Sequence, residues 1–359
     1  MNKVEVFNPN WVSQPGNTIS DILEEQNIPL RKFAEKMSVS SEFVEKLLRG
    51  EIHINSEIAK QLESTLGSSS AFWIERETKY RQNFEKLHLK ETEEWINSLP
   101  VKEMIKLGWI KKTADLVKEC LNYFKVDSIK EWYQKYNFEL GSYSFRTSPT
   151  YSSDKGSVAA WLRQGEILTE NLACRDWNVK LFEQNLHEIK KLTRKKKPID
   201  FIPSLIKICA ECGVAVAIVK TPVGCKASGA TKFISPNRAL ILLSFRYLSD
   251  DHFWFTFFHE AGHLILHNKN IFIENLDISK PISEEELEAN LFAAEVLIPH
   301  GLKSELQFLR SNKRKIVDFA SRAGVSPGIV VGQLQFHGYI DNKYLNSYKR
   351  RYSWEEIQS

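Results

Sequence analysis

The five residues from His259 to His263 (HEAGH) are the feature that most restricts what this chain can be. They read H-E-x-x-H. On a helix, residues four apart share one face, so both imidazoles can reach one metal ion. Glu260 lies between them, where its carboxylate can take a proton from a metal-bound water. The pattern predicts zinc as cofactor and hydrolysis as chemistry, with His259 and His263 as ligands and Glu260 as catalytic base.

The surroundings of the motif predict a buried helix beside a small sheet. Val214 to Val219 (VAVAIV) and Ala239 to Phe245 (ALILLSF) are short apolar runs typical of strands. His252 to His267 is apolar on nearly every side, which is typical of a core helix. A charged Glu260 there is costly unless it is paired or lies near a metal. The alternative is a surface helix whose two histidines merely lie one turn apart. His267, one turn further on, either orients a ligand or marks where the helix leaves the core.

A catalytic zinc usually takes a third protein ligand, and the candidates lie downstream. Ser283 to Leu297 (SEEELEANLFAAEVL) predicts a helix that begins with a capping box of Ser283 and Glu286. The acidic residues of the first turn suit the positive end of the helix dipole and are assigned to that role. Glu288 and Glu295 lie deeper in the helix, seven residues apart on one face, so one of them is the expected ligand.

The motif and the downstream helix carry a family resemblance. The run TFFHEAGHLILH, followed by EANLFAAEVLIP, resembles the ImmA/IrrE family of bacterial zinc metallopeptidases, and GATKFISPNRALILLSFRYLSDD is similar to that family's strand-loop-strand before the active helix. In that family the acid of the E-A-N-x-F-A pattern completes the metal site. The resemblance therefore implies that His259, His263 and Glu288 bind zinc and that Glu260 is the general base. Glu295 is then not a ligand.

The N-terminal region predicts a helix-turn-helix. Leu30 to Met37 and Ser41 to Arg49 are short helical patterns joined by the polar turn Ser38-Val39-Ser40, and Gly50 stops the second helix. The second helix of such a motif can enter the major groove of DNA. Its expected exposed positions, all but Glu45 assigned as DNA contacts, are Ser40, Ser41, Glu42, Glu45, Lys46 and Arg49.

This region, with the trailing AFWIERETKYRQN, resembles the helix-turn-helix domain of HigA-type antitoxins and related XRE-like repressors. The two families occur fused in one chain, and such fusions resemble antitoxin or stress-response regulators that are often paired with a toxin. One departure concerns charge. Residues 18–67 hold six Lys or Arg against nine acids, a net charge of −3, whereas a DNA reader normally shows a basic surface. DNA and a protein partner therefore both stay open as ligands of this domain.

The length of 359 residues predicts two or three domains. The predicted fold class is α+β and mostly helical. We predict a helix-turn-helix domain at 1–84, a helical connector at 85–150 and a zincin-like metallopeptidase domain at 151–359. That last domain holds a small sheet, the HExxH helix and a C-terminal helical subdomain. A Ser-, Tyr- and Thr-rich stretch at 141–156 predicts the loop that separates the last two.

Two shorter features leave alternatives. Lys190 to Lys197 (KKLTRKKK) is either a solvated helix end or a source of the phosphate contacts that the N-terminal region lacks. Cys209 and Cys212 form a C-x-x-C without a second pair at zinc-ribbon spacing, which favours two small core residues over a metal or redox site. We see no internal repeat along the chain.

Composition favours a cytoplasmic protein. No apolar run of 18 residues predicts a membrane span, and the N-terminus lacks a signal-peptide pattern. Five widely spread cysteines are unlike a disulfide scaffold and favour reduced thiols. The net charge of +4 is mild.

The two resemblances together predict an antitoxin or transcriptional regulator whose zinc metallopeptidase domain cleaves a protein partner. The expected partners are a protein substrate or cognate toxin and operator DNA, with a possible homodimer. One alternative is an antitoxin or docking protein whose zinc domain does not hydrolyse. Another is a peptidase whose helical N-terminus recruits the target.

Overall fold

The computed structural model describes residues 13–141, 152–267, 272–275 and 283–358. Contacts between Cα atoms divide the chain into two compact units, Met1–Ile96 and Asn97–Ser359. The two domain boundaries predicted from the sequence stay predictions, although residue 84 falls within a long helix. Of the loop predicted at 141–156, residues 142–151 lie outside the described residues, and a helix already begins at Ser152.

The described residues of the first unit form helices around one apolar core. Their bounds are α1 (Pro15–Glu25), α2 (Leu30–Met37), α3 (Ser41–Leu48), α4 (Ser56–Leu66) and α5 (Ser70–Ser98), which runs two residues past the unit. Phe33, Val44, Leu62 and Trp73 are buried side chains of this core and come from four different helices. Burying them stabilises the unit by roughly 1.5–3 kcal/mol for each aliphatic or Phe side chain.

The link between α2 and α3 is the predicted helix-turn-helix. Helix α2 ends at Ser38, which adopts the left-handed conformation with φ 56° and ψ 39°. The backbone N–H of Val39 then donates to the carbonyl of Ala34 at 3.0 Å, which closes the helix end. Ser40 begins the next helix, since its hydroxyl accepts from the backbone N–H of Phe43 at 3.1 Å. The predicted turn at 38–40 is confirmed.

The second unit is an α+β structure. Its helices before the sheet are α6 (Val101–Lys106), α7 (Leu116–Phe124), α8 (Ile129–Gly141), α9 (Ser152–Thr169), α10 (Val179–Leu192) and α11 (Pro198–Glu211). The strands are β1 (Val214–Ile218), β2 (Ala227–Ser235), β3 (Arg238–Leu243) and β4 (Phe272–Asn275), with α12 (Asp250–Leu266) between β3 and β4. The helices that follow are α13 (Glu284–Leu297), α14 (His300–Lys303), α15 (Leu306–Leu309), α16 (Lys313–Ala323), α17 (Pro327–Phe336) and α18 (Trp354–Gln358).

The sheet has the strand order β1-β3-β2-β4. β1 and β3 are parallel, with Val216 opposite Ile241, while β2 is antiparallel to both β3 and β4. Both strands predicted from apolar runs are confirmed at β1 and β3. The fold class is α+β and mostly helical, as predicted. Among the described residues, no helix combines the length and the apolar character that a membrane crossing requires.

Helix α12 lies at the centre of the second unit, against the sheet, α13 and α17. Its start is fixed by two buried carboxylates. Asp250 accepts from the hydroxyl of Ser326 at 2.7 Å and from the backbone N–H of Arg350 at 2.9 Å. Asp251 pairs with Lys349 at 2.6 Å. The segment before α18 and the start of α17 thereby hold the helix that carries the HExxH motif.

Candidate metal centre

The HExxH motif is fully buried in α12. His259 and Glu260 are 0% exposed and His263 is 1% exposed, so all three side chains lie in a region of low dielectric. A helix with buried residues on nearly every side forms because its apolar residues meet the sheet on one side and helices on the others. The core helix predicted at 252–267 is therefore confirmed. The alternative of a surface helix is wrong.

The two histidines of the motif point to the same place. They are one turn apart, and their Nε2 atoms lie 3.0 Å from each other. The ring centroids are 4.7 Å apart, with the planes at 82°. Both imidazoles thus present the same nitrogen to a common point, as two ligands of one metal ion do.

A carboxylate from α13 completes this group, and it belongs to Glu286. Its Oε2 lies 3.1 Å from Nε2 of His259, and its Oε1 lies 3.4 Å from Nε2 of His263. Potential ligand atoms of His259, His263 and Glu286 all lie within 4.8 Å of one another. Two imidazoles and one carboxylate form a ligand set typical of catalytic zinc sites.

Glu288, the ligand expected from the sequence, lies elsewhere in the structure. Its Oε2 is 2.8 Å from Nε2 of His267, and its side chain is 53% exposed. Glu295, the other candidate, is also exposed. The structure thus brings His259, His263 and Glu286 together. Glu288 lies outside that group and contacts His267, which in turn contacts His263.

The packing of α13 on α12 explains this placement. The buried positions of α13 are Ala289, Ala293 and Leu297, which recur every four residues and face the core. Glu286 precedes Ala289 by three residues and so continues that face, whereas Glu288 is turned about 100° away. The two helices approach closely because a Cβ on Gly262 would lie 3.3 Å from the Cα of Ala289. The signal that could have identified Glu286 is this stripe of small residues.

Capping and ligation do not compete at the start of α13. Ser283 caps the helix by accepting from the backbone N–H of Glu286 at 3.3 Å, as predicted. The side chain of Glu286 does not need to fold back on the cap, and it lies against the two histidines instead. The helix-start role predicted for Glu286 from the sequence is therefore incomplete, because its side chain also contacts both histidines.

Hydrogen bonds to the outer ring nitrogens fix the orientation of both histidines. The carbonyl of Asn290 can only accept, so Nδ1 of His259 donates to it across 3.1 Å. Glu288 accepts from Nε2 of His267, and Nδ1 of His267 lies 3.1 Å from Nδ1 of His263. Asn290 and His267 thereby hold the two imidazoles with their Nε2 atoms towards Glu286.

The charge states suit a metal. Burial tends to raise the pKa of Glu286, but its contacts with His259 and His263 outweigh burial and lower the pKa to about 2. Burial is the main cause that lowers the pKa of His263. At neutral pH the group is thus a carboxylate and an uncharged imidazole, the forms that bind metal. Two imidazole nitrogens and a carboxylate that converge on one point fit a divalent cation.

Glu260 lies on the side of α12 that faces β2. A Cβ on Gly229 would lie 2.4 Å from Oε1 of Glu260, so only glycine leaves room for this carboxylate. The hydroxyl of Thr231, also on β2, donates to the backbone carbonyl of Glu260 at 3.3 Å. Strand β2 therefore fixes where the glutamate of the motif can lie.

The five DNA contacts expected on the N-terminal motif are placed as follows. Ser40 is the N-cap of α3 and uses its hydroxyl to bind the helix end. Ser41, Glu42 and Arg49 are exposed, and Lys46 is half-buried. Three of these side chains form ion pairs: Lys46 pairs with Glu42 at 2.8 Å, and Arg49 pairs with Glu51 at 3.0 Å.

Comparisons with known proteins match two separate parts of the chain. Residues 214–334 match the family described as IrrE N-terminal-like domain. The Uncharacterized HTH-type transcriptional regulator YddM of Escherichia coli (strain K12) is 34% identical over 61 residues, which cover 17% of this chain and 65% of that regulator. The match thus spans slightly less than two thirds of the regulator. The chain joins a helix-turn-helix region, similar to that of a transcriptional regulator, to a region that matches the IrrE N-terminal-like domain.

Proposed function

We propose that this protein is a DNA-binding regulator whose second unit is a zinc-dependent metallopeptidase that cleaves a protein partner. The observation that carries the proposal is the group of His259, His263 and Glu286, whose ligand atoms lie within 4.8 Å of one another, with Glu260 one residue from the first histidine. A domain that only docks a partner has no need for a buried carboxylate beside such a group, because burying it is costly.

In this proposal, His259, His263 and Glu286 hold the zinc. Glu288, which the sequence analysis assigned as the third ligand, becomes a positioning residue that acts through His267 and His263. A bound zinc ion would supply Lewis-acid activation of a water and of the scissile carbonyl. Asn290 serves the same purpose for His259 that His267 serves for His263.

Glu260 acts as the general base and then as the general acid. Its carboxylate takes one proton from the attacking water while the water oxygen bonds to the scissile carbonyl carbon. The carbon–nitrogen bond then breaks, and Glu260 returns the proton to the leaving amine nitrogen. The products are one carboxylate and one amine, and Glu260 ends in the form in which it began.

Metal analysis tests the ligand assignment. Zinc content and affinity would be measured for the wild type, Glu286→Gln and Glu288→Gln, which are isosteric changes two residues apart. We expect Glu288→Gln to weaken zinc binding by roughly 10- to 100-fold, the usual effect of an outer-shell residue, and Glu286→Gln to weaken it by more. A larger loss in Glu288→Gln would return the third-ligand role to that residue.

A cleavage assay tests the reaction. Wild type and Glu260→Gln would be incubated with lysate proteins of the source cells, and new amino termini would be identified by mass spectrometry. We expect Glu260→Gln to keep zinc and to lose about 10²- to 10⁴-fold in rate, since it lacks the base. Zinc binding without any cleavage by the wild type would favour the alternative, a regulator whose zinc domain does not hydrolyse.

The DNA-binding part of the proposal is supported by the fold of α2 and α3 and by the printed name of the relative. An operator-length mobility-shift assay tests it. Lys46→Ala and Arg49→Ala should weaken binding, while Lys60→Ala on α4 serves as the control. No shift in the wild type would redirect the motif to a protein partner, such as a cognate toxin. Sedimentation of the same samples would test the homodimer.

A further inference from the structure

The turn between α10 and α11 holds the densest positive charge of the sequence. Residues 189–197 contain six Lys or Arg and no acid. The whole chain has a net charge of +4, so the remainder of the chain is net −2 without this segment. Residues 18–67, where the helix-turn-helix lies, are net −3. The charge that a nucleic-acid-binding protein needs is therefore concentrated outside its DNA-reading motif.

The turn is held in one conformation by a distant arginine. Helix α10 ends at Leu192, and the backbone N–H groups of residues 193–195 close its end by donating to the carbonyls of residues 190–192. The guanidinium of Arg350 donates to the carbonyl of Thr193 at 2.9 Å, to that of Lys195 at 2.6 Å and to that of Arg194 at 3.1 Å. Because the backbone of residues 193–195 is fixed, the basic side chains project from an ordered turn. The positive charge of Arg350 lies against the backbone of that turn.

Three of these side chains remain available to a ligand. Arg194, Lys196 and Lys197 are exposed and form no ion pair with any residue that the structure describes. Of the other three cations, Lys191 pairs with Glu188 at 2.7 Å, Lys195 donates to the carbonyl of Asp200 at 2.9 Å, and Lys190 is half-buried. A free guanidinium and two free ammonium groups thus lie within four consecutive residues.

We propose that this basic turn, residues 193–197, binds the phosphate backbone of a nucleic acid. Adjacent uncompensated cations repel one another, and a duplex that carries one negative charge per about 1.7 Å relieves this repulsion and releases counterions. The turn has no exposed apolar or aromatic side chain, such as anchors most protein interfaces. The contact would be independent of sequence and would complement α3, which supplies few cations.

The inference does not rest on the metal centre or on base contacts by α3. It concerns a surface of the second unit only, and it requires that the full-length protein bind duplex DNA through that surface. A defect in α3 would remove sequence preference, whereas a defect in the turn would remove salt-dependent affinity for every sequence. Base recognition by α3 and phosphate binding by the turn can therefore be disproved separately.

The test uses the full-length protein and a 30-base-pair duplex of random sequence. Binding would be followed by fluorescence anisotropy between 50 and 200 mM NaCl. We expect the triple variant Arg194→Gln, Lys196→Gln, Lys197→Gln to lower the slope of log affinity against log salt by up to about 3, near 1 for each phosphate contact, and to weaken binding about tenfold or more at the lowest salt.

Two matched variants exclude other causes. Lys313→Gln, Arg314→Gln, Lys315→Gln removes three exposed cations at the start of α16 in the same unit and should leave the slope unchanged. Lys196→Arg, Lys197→Arg keeps the charge of the turn and should retain the wild-type slope. Zinc content and the unfolding midpoint would be measured for all variants to show that the fold is intact.

Three results would overturn the proposal. The first is an unchanged slope in the turn variant, and the second is an equal loss in the α16 variant, since net charge alone would then explain binding. The third is a loss of binding to phosphatidylserine vesicles in the turn variant with DNA affinity unchanged, which would assign the turn to a lipid surface.

Discussion

Two helix pairs of this molecule share one local structure and differ in what surrounds them. The pair α2–α3 lies in the first unit and the pair α16–α17 in the second. Each ends its first helix in a left-handed residue, Ser38 with φ 56° or Gly324 with φ 75°. One residue later, the N–H of Val39 donates to Ala34 and that of Val325 donates to Ala320, at 3.0 Å in both pairs. Both turns therefore have the geometry of a helix-turn-helix.

The sequences of the two pairs align without a gap. Residues 33–48 (FAEKMSVSSEFVEKLL) and 319–334 (FASRAGVSPGIVVGQL) are identical at six of sixteen positions. The identical positions include the N-cap serine of the second helix, Ser40 or Ser326, which accepts from the backbone three residues on. This repeat was not predicted from the sequence. It becomes clear in the structure because the shared positions are those that the turn and the helix contact require.

The second helices of the two pairs have opposite surroundings. In α3, Glu42 and Lys46 form an exposed pair at 2.8 Å. The equivalent residues of α17 are Gly328 and Gly332, and their backbone packs on the start of α12. A Cβ on Gly328 would lie 2.6 Å from the carboxylate of Asp250. Helix α17 is buried along most of its length and so supports the helix that carries the HExxH motif.

The turn fixes the angle between two helices, but it does not determine whether the second helix is exposed or buried. The serine cap, the left-handed residue and the small apolar contacts specify the local fold in both pairs. Two positions on the outer face of the second helix decide whether that helix is exposed or buried. A charged pair keeps α3 at the surface, while two glycines bring α17 into the core. A helix-turn-helix pattern in a sequence thus predicts a fold, and only its outer face indicates a DNA reader.

The largest effect is expected from an exchange at the first of these positions. Gly328→Glu places a side chain and a charge against Asp250 in the core, which should destabilise the second unit by at least about 4 kcal/mol. The reciprocal change, Glu42→Gly, removes an exposed ion pair and some helix propensity, which should cost the first unit about 1 kcal/mol. Hydrogen exchange read separately on α12 and α3 measures both.

The same exchange tests whether α17 packs on α12. If Gly328→Glu left the exchange of α12 unchanged, α17 would not be packed on α12 as described, and the contrast between the two pairs would disappear. Zinc content offers an independent reading, because loosening the start of α12 displaces His259 and His263. Gly324→Ala, at a glycine with open space around it but φ 75°, controls for backbone strain alone.

Most of the fold could be predicted from local sequence signals. The apolar runs at 214–219 and 239–245 are confirmed as β1 and β3, and the apolar run at 252–267 as α12. The helix at 283–297 and its serine cap are confirmed as well. These elements depend on neighbours in the chain, such as a cap three residues away or an apolar residue every turn. Local patterns are therefore sufficient to indicate them.

The third carboxylate of the site could not be assigned from the same signals. Glu286 and Glu288 are two residues apart on one helix, and which of them meets the histidines depends on the rotation of α13 about its axis. That rotation is set by the contact of Ala289 with Gly262, a tertiary contact. The contact of His267 depends on the same packing, because Glu288 reaches it only when Glu286 faces His259 and His263.

A second prediction concerns the ion pair that fastens the start of α12 beside α17. Lys349 and Asp251 are 8% and 7% exposed, with 2.6 Å between their charged atoms. Lys349→Met keeps the packing but leaves a buried carboxylate without its cation, which should destabilise the second unit by about 3 kcal/mol. The Glu42–Lys46 pair of α3 is exposed rather than buried, so Lys46→Met should cost about 0.5 kcal/mol or less. Urea unfolding at pH 7 measures the difference.

Acid pH sharpens this prediction. Burial tends to raise the pKa of Asp251, but Lys349, His252 and Ser249 outweigh it and hold the pKa below its usual range. The pair therefore contributes fully above about pH 4, the ordinary range of Asp, and its contribution falls as the pH drops through the lowered pKa. The gap between wild type and Lys349→Met should narrow there. A gap that stays constant from pH 7 to pH 3 would contradict the assignment to this ion pair.

The smallest effect is expected at the shared caps. Ser40→Ala removes one capping hydrogen bond at an exposed helix start and should cost about 1 kcal/mol. Ser326→Ala removes a cap and also the 2.7 Å hydrogen bond that Ser326 donates to buried Asp250, so it should cost about 2 kcal/mol. Thermal unfolding, with hydrogen exchange to assign each loss to its unit, compares them. Ser326→Thr, which keeps the hydroxyl, should recover most of the loss. Equal costs at the two serines would mean that the bond to Asp250 adds no stability and that the two caps differ only in exposure.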